Sequence, residues 1–500
     1  MKEFLATIQT NFETFVGEAV GILWSQPMIY FCLGVGLLFS ILTRFLQVRH
    51  FKEMIKLMFE GKSSKAGVSS FQALAISLSG RVGTGNIAGT ATAIGFGGPG
   101  AVFWMWMIAF IGAASAFIES TLAQVYKEKQ EGEYRGGPAY YIEKGIGWKW
   151  YGIIFAISAL AAMSLLMPGI QSNSIAAGLE NAFNLDTKIT GVLLVLLIGA
   201  IIFGGVKRIA NVAQFVVPFM AIGYVLVSLI IIAANIGEIP AVFALIFKSA
   251  FAMDSAFGGI VGAAISWGVK RGIYSNEAGQ GTGPHPAAAA EVSHPAKQGL
   301  VQAFSVYIDT WLVCSATAFM ILFTGMYNVQ NEGDKSFLVQ NLPGVEAGPA
   351  FTQNAIESVI PGFGAGFVAV SLFFFAFTTI MAYYYIAETN IAYLVRGRSN
   401  KVPMFILKLV LLGTTYYGAV KAADLAWALG DVGLGIMVWL NLIAILILAK
   451  PALRVLKDYE EQKKAGLDPV FDSTKLGIKN AEYWEGGYKE SKGDKEEKVS

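Results

Sequence analysis

Apolar residues run through this chain in long stretches, near residues 27–47, 69–95, 99–125, 150–180, 188–205, 209–234, 256–282, 298–325, 363–395, 402–422 and 428–449, separated by short polar turns. A helix needs about 20 apolar residues to cross the ~30 Å hydrocarbon layer of a membrane. The pattern therefore predicts an all-α integral membrane protein with about eleven transmembrane helices.

Two of these stretches are interrupted. The first reads "SGRVGTGNIAGT", Ser79 to Thr90, where glycines, an arginine and an asparagine fall midway through a membrane-length segment. Glycine costs ~1 kcal/mol against alanine in a helix interior, and an unpaired charge in lipid costs several. The second reads "GAAISWGVKRGIYSNEAGQGTG", Gly262 to Gly283, broken in this reading at Gly268 and Gly272. Setting aside the first span, the interrupted segments open two five-helix sets, 69–234 and 256–449, that enter the membrane from opposite sides. That is the mark of an inverted repeat. Backbone that leaves the helix at membrane depth survives only when buried in protein or lining a watery cavity, so two such breaks imply one central site. Half-helix N-termini offer free N–H groups to a carboxylate, while unwound carbonyls suit a cation such as Na⁺. Close helix packing is the competing explanation for the glycines, chiefly for Gly89.

Composition supports the membrane assignment. Hydrophobic residues make up 55% of the chain and charged residues 14%, with a mean hydropathy of +0.55. A soluble protein carries about 25% charge. A net charge of +2 gives no reason to expect nucleic acid as a partner. Basic residues cluster in alternate loops, such as Arg44, Arg49 and Lys52, then Lys207 and Arg208, then Arg396 and Arg398. The protein is expected in the plasma membrane, and the positive-inside rule then puts its N-terminus outside and its C-terminus in the cytoplasm, which needs an odd number of spans. Residues 1–26 read as an extracellular amphipathic lead-in and 27–68 as an extra N-terminal helix with a basic cytoplasmic loop. Residues 235–255 read as an external connection between the repeats, and 450–500 as a largely disordered cytoplasmic tail. Cys32 and Cys314 suggest neither a disulfide nor a thiolate site. His50, His285 and His294 fall in loops without metal-ligand spacing, and no catalytic grouping is visible. An enzyme is not expected, and nothing calls for a cofactor or for a metal beyond sodium.

The run "GGPGAVFWMWMIAFIG", Gly97 to Gly112, resembles the signature of the sodium:alanine (alanine or glycine:cation) symporter family. "GTGNIAG" at 83–89, "GGPAYYIEKG" at 136–145, "QSNSIA" at 171–176 and "SNEAGQGTGPHPAAAA" at 275–290 are similar to it too. The resemblance implies a leucine-transporter-type inverted repeat with one extra N-terminal helix, and Na⁺-coupled uptake of a small neutral amino acid such as alanine, glycine or glutamine. Carried over by position, it implies that Thr84 and Gly85 meet the substrate carboxylate, that Gln171 and Ile175 line the pocket, and that Gly268 and Val269 face the amino group. Sodium would fall to the carbonyls of Ser79 and Val82 and the hydroxyls of Thr378 and Thr379. Tyr383 stands where family members commonly carry Trp, and "PGIQ" replaces a Gly-Asn pair ahead of Gln171, changes that bear on pocket shape.

Other charged residues have two readings each. Arg81 is a gate or counter-ion to Glu119 or Asp309, or it snorkels to the aqueous surface; Lys270 is expected to snorkel. Asp309 and Glu388 are proton carriers or structural partners. A proton-coupled carrier of the same fold and a channel are the alternative functions, and no residue pattern specifies an oligomeric state.

Overall fold

The computed structural model describes residues 2–61, 63–64, 66–253, 257–331, 335–421 and 423–487. Among them, eight helices are long and apolar enough to cross a membrane: Thr10–Leu42, Gly100–Val125, Lys149–Phe183, Gly205–Ala234, Pro295–Thr324, Gly364–Leu394, Lys401–Val420 and Leu425–Ile447. The other predicted spans correspond to a shorter apolar helix, Thr187–Ile202, and to the two interrupted segments. Large apolar side chains face outward on these helices; Phe215 and Phe219 on Gly205–Ala234 are 73% and 69% exposed, as a lipid-facing surface requires. Two antiparallel ribbons, Glu128–Gln130 with Glu133–Arg135 and Asn328–Gln330 with Phe337–Gln340, are the strands among the described residues. They are small exceptions to the all-helical expectation.

Local signals explain several helix starts. Ser69 and Gln72 form a reciprocal cap at the head of Ser70–Arg81, the Ser69 hydroxyl accepting from Gln72 N–H and the Gln72 side chain accepting from Ser69 N–H. Pro168, Pro295 and Pro349 each occupy the first turn of their helices, where a missing N–H costs nothing.

Gly100–Val125 is the central post, with Gln26–Leu42, Val261–Asn276 and Pro295–Tyr307 all packed on it. The second interrupted segment is continuous through the residues expected to break it. Val261–Asn276 is one helix, and its two glycines are packing positions: a methyl at Gly268 would stand 2.6 Å from Ala101 O, and one at Gly272 would stand 2.5 Å from Ile108 Cγ2. The chain unwinds later, after Asn276. Glu277, Gly279 and Gly281 take positive φ values of 56°, 81° and 86° before Pro284–Ala289 restores the helix.

Both ends of the chain pack on the bundle, and the tail differs from expectation. The lead-in is the helix Lys2–Leu23, which packs against Ala423–Ile447 through the indole of Trp24 on Asp431 O (2.9 Å) and the indole of Trp439 on Leu23 O (3.2 Å). The tail is ordered as far as Gly487; residues 488–500, and Lys62 and Lys65 of the first basic loop, lie outside the described residues. Ala449–Lys464 is a helix whose Asp458 meets His294 at 3.2 Å and whose Glu460 meets Arg49 at 2.7 Å. Beyond it, Phe471 N–H reaches Ser293 O, and Trp484 donates to Gln124 O at 2.8 Å. Lys127 is buried with its ammonium 4.4 Å from the Tyr134 ring centre and 4.5 Å from that of Tyr483, and it donates to Ala290 O at 2.9 Å. Apolar and aromatic anchors, spaced among charges, offset the ordering entropy that the tail's composition suggested it could not.

Trp484→Ala removes one hydrogen bond and a buried indole from this contact. Tryptic cleavage at Lys475 and Lys479 in the purified protein is expected to rise by about tenfold or more, since ~1.4 kcal/mol lost from local docking multiplies the open population by ten. Unchanged cleavage would mean that the aromatic anchors do not hold the tail.

Candidate functional site

The first break is short. Ser70–Arg81 ends where Val82 takes φ −79° and ψ 87°, its N–H still bonded to Leu78 O. Gly83 N–H, freed from the helix, donates to Asn86 Oδ1 at 2.8 Å. The helix resumes through a widened turn, Gly85–Gly89, into Thr90–Gly97. Widened turns of this kind re-aim backbone groups and recur at functional sites.

Two clusters meet at Gly83. On one side, the Thr379 hydroxyl, from Gly364–Leu394, lies 2.9 Å from Ser79 O as well as 2.9 Å from Phe375 O of its own helix. On the other, the side-chain oxygen of Gln171, from Pro168–Phe183, accepts from Thr84 N–H at 3.2 Å and from the Thr84 hydroxyl at 2.9 Å. The Gln171 amide also reaches the Tyr383 hydroxyl at 3.4 Å. A methyl at Gly83 would stand 2.5 Å from Thr379 Oγ1 and 3.2 Å from Gln171 Oε1, so only glycine lets the clusters adjoin.

Of the residues expected from sequence, the structure thus gathers Ser79, Thr84, Gln171, Thr379 and Tyr383 around the first break. Val82 is buried at the break itself, Ile175 is buried one turn beyond Gln171, and Gly85 abuts the Tyr274 ring, 2.9 Å from a methyl built there. Three residues are elsewhere. Thr378 turns its hydroxyl back onto its own helix, toward Phe375 O at 3.0 Å, with Met220 Sδ 3.9 Å away. Adjacent helical positions point ~100° apart, so a Thr-Thr pair cannot face one small site unless it lies in a groove between helices. Gly268 and Val269 lie inside the unbroken helix described above, with their backbone groups committed to it.

A second layer ties the breaks together; the sequence reading named Arg81, Glu119 and Asp309 in it but missed the Asn86, Ser275, Glu277 and Asn441 that join them. Asn86 donates to Asp309 Oδ1 at 2.6 Å, and the same carboxylate accepts from Ser275 at 3.1 Å and Thr310 at 2.8 Å. Glu119, on the central helix, accepts from the freed N–H groups of Gly279 and Gly281 at 3.2 and 3.1 Å and from Asn441 at 2.7 Å. Arg81 is buried, donates to Gln302 O and Ser305 Oγ, and lies in the field of Glu277, Glu119 and Asp309. The clue was present in "SNEAGQGTG", whose polar residues supply Ser275, Asn276 and Glu277 to this layer. Lys270 does not snorkel: it pairs with Asp431 at 2.7 Å, beside Arg271 at 3.2 Å from the same carboxylate. Glu388 is paired with Arg135 at 3.0 Å. His285 is buried in Pro284–Ala289 against Asn390 rather than in a loop, and no group of three potential metal-ligating side chains occurs among the described residues.

A crystal structure of the Eremococcus coleocola manganese transporter, in complex with an aromatic bis-isothiourea substituted compound, shares this fold at a TM-score of 0.50 and 13% identity, over 84% of this chain and 94% of that one. Sequence relatives are much nearer. YrbD of Bacillus subtilis (strain 168) is 75% identical over 474 residues, covering 95% of this chain and 98% of YrbD. The sodium/proton-dependent alanine carrier protein of Bacillus sp. (strain PS3) is 60% identical over 437 residues, 87% of this chain and 98% of that protein. The "Probable sodium/glutamine symporter GlnT" of Bacillus subtilis (strain 168) is 45% identical over 466 residues, 93% of this chain and 94% of GlnT. The sodium:alanine symporter family profile matches residues 9–473, which takes in both breaks and every residue of the two clusters. A multi-pass bundle with these breaks, matched along nearly its whole length, belongs to the sodium:alanine symporter family, cation-coupled amino-acid transporters rather than enzymes.

Proposed function

We propose that this protein couples Na⁺ influx to uptake of a small neutral amino acid, with alanine preferred over glycine and glutamine, by alternating access of one central site. The observation that carries the reading is the meeting of the two clusters at Gly83, one rich in hydroxyl and carbonyl oxygen, the other in amide and hydroxyl donors. Gln171 Oε1 occupies the two Thr84 donors that a substrate carboxylate oxygen would take, so the amide acts as a stand-in that substrate displaces. Ser79, Val82 and Thr379 supply the oxygens for Na⁺, while Ile175 and Tyr383 limit side-chain size. Eleven spans, in two inverted five-helix sets after one extra helix, bring the N-terminus outside and leave the C-terminus in the cytoplasm. Alanine is preferred because the 60% identical relative is named an alanine carrier, with glutamine in the name of a more distant one.

The direct test is labelled alanine uptake into proteoliposomes with an inward Na⁺ gradient, against choline at fixed pH, with unlabelled amino acids as competitors. Accumulation above the external concentration that needs Na⁺ supports symport and excludes a channel; equilibration alone, or indifference to Na⁺, overturns the reading. Thr379→Val keeps shape and removes an oxygen, so the Na⁺ concentration for half-maximal uptake is expected to rise by about tenfold, whereas Thr378→Val is expected to change it by less than about twofold. Equal effects would put both hydroxyls at the ion.

Once substrate takes the Thr84 donors, the Gln171 side-chain N–H groups are left to donate to the same carboxylate, so Gln171→Ala removes a contact of the bound state and should weaken alanine binding by ~1–3 kcal/mol, read as a rise in half-saturation at saturating Na⁺. Gly83→Ala is expected to abolish uptake while the protein remains monodisperse in detergent. Normal transport by Gly83→Ala would show that the two clusters need not adjoin.

A further inference from the structure

Three carboxylates are buried around the two breaks, and they are not equally provided for. Glu119 and Asp309 each accept from three donors, as the distances above record. Glu277 accepts from one, the Thr282 hydroxyl at 2.8 Å, and among the described residues no Lys, Arg or His comes within ion-pair distance of it. A buried charge so poorly compensated is unstable unless it is neutralised. The place where it sits matters as much. Glu277 is the first residue of the second break, held at a positive φ of 56°, and its carboxylate reaches across to the first broken helix, where a methyl at Gly80 would stand 3.2 Å from Oε2. It borders a small cavity shared with Ile76, Ser77, Thr282 and Gly283, and the Ser77 hydroxyl there is buried without a hydrogen-bond partner. Arg81 lies against Gly283, which lines that cavity, with Nη2 unpartnered and 2.7 Å from a methyl built there.

The geometry points to Glu277 as a proton-binding site, taking up one proton per transport cycle alongside Na⁺. This rests on the symport reading above and names a second coupling ion for it. The proton comes from water on the side where substrate binds, forms an O–H bond on the Glu277 carboxyl, and returns to water when that bond breaks on the release side; nothing is oxidised or reduced. The charged groups that face Glu277 are Arg81 from the first broken helix and Asp309 from Ile308–Cys314, with Glu119 acting on Arg81 from the central helix. His285, on the next helix, is engaged with Asn390 and Thr282 O, and Glu388 with Arg135. In the ionised form Glu277 draws Arg81 and so holds the end of the first half-helix to the second break. In the neutral form that attraction is gone, and the two breaks can separate.

The test uses the full-length protein in proteoliposomes with a trapped pH dye and labelled alanine, at saturating Na⁺ on both sides. The parent is expected to admit about one proton per alanine, and Glu277→Gln, which fixes the neutral shape, none per alanine it still moves. A parent ratio of zero, while the same vesicles given an inward Na⁺ gradient still accumulate alanine, overturns the proton site and leaves the symport reading standing; accumulation indifferent to that gradient overturns the symport reading itself. Should Glu277→Gln fail to fold, Thr282→Val serves: losing the one donor to the carboxylate favours the proton-bound form, so the pH of half-maximal alanine binding should move up by about one unit. A Glu277→Gln protein with a ratio near one, or a Thr282→Val protein with an unmoved pH profile, overturns the assignment.

Discussion

Every peptide group released from a helix inside the membrane must find a partner in the protein, because lipid offers none. That constraint organises this molecule. The first break frees Gly83 N–H and answers it with Asn86 Oδ1; the second frees Gly279 and Gly281 and answers them with Glu119. Asn441 closes the second arrangement by donating both to Glu119 and to Gly279 O, at 2.7 and 2.9 Å. Glu119 lies on the helix that the other elements pack around, so the unwound backbone of the second break is tied to the central post. Gly268 and Gly272 contribute by letting the arm that leads into the second break lie close against that post.

The sequence made the first break legible because glycines, an arginine and an asparagine in one turn have no other good explanation. It misled at the second because glycine serves two ends. Gly268 and Gly272 are small so that another helix can come near, whereas Gly279 and Gly281 adopt backbone angles that other residues avoid. A string of letters does not separate these uses; neighbouring helices do. Helical phase was lost in the same way at Thr378 and Thr379, where both hydroxyls reach their own helix at Phe375 O and only that of Thr379 also reaches the break at Ser79 O.

Charge was the other source of error. Lys270 read as a surface residue because its partner Asp431 lies far along the chain, and nothing local announces a pair formed between remote helices. The tail read as disordered because its average composition is polar, yet Phe471, Tyr483 and Trp484 are each buried. A few large apolar anchors outweigh an average. The family motifs, by contrast, led to Thr84 at the unwound turn and to Gln171 and Thr379, which two regular helices bring against it.

The docking of Trp484 on Gln124, and of the Lys127 ammonium among Tyr134, Tyr483 and Trp484, has a consequence for how the protein is made. Gln124 and Lys127 leave the ribosome well before two of the rings that cover them, Trp484 following Gln124 by 360 residues. For most of synthesis the foot of the central helix therefore stands with an uncovered amide and amine. The face is completed only once Tyr483 and Trp484 are made, so a product terminated before them carries a recognisably unfinished surface even when every membrane helix that precedes them is already in place.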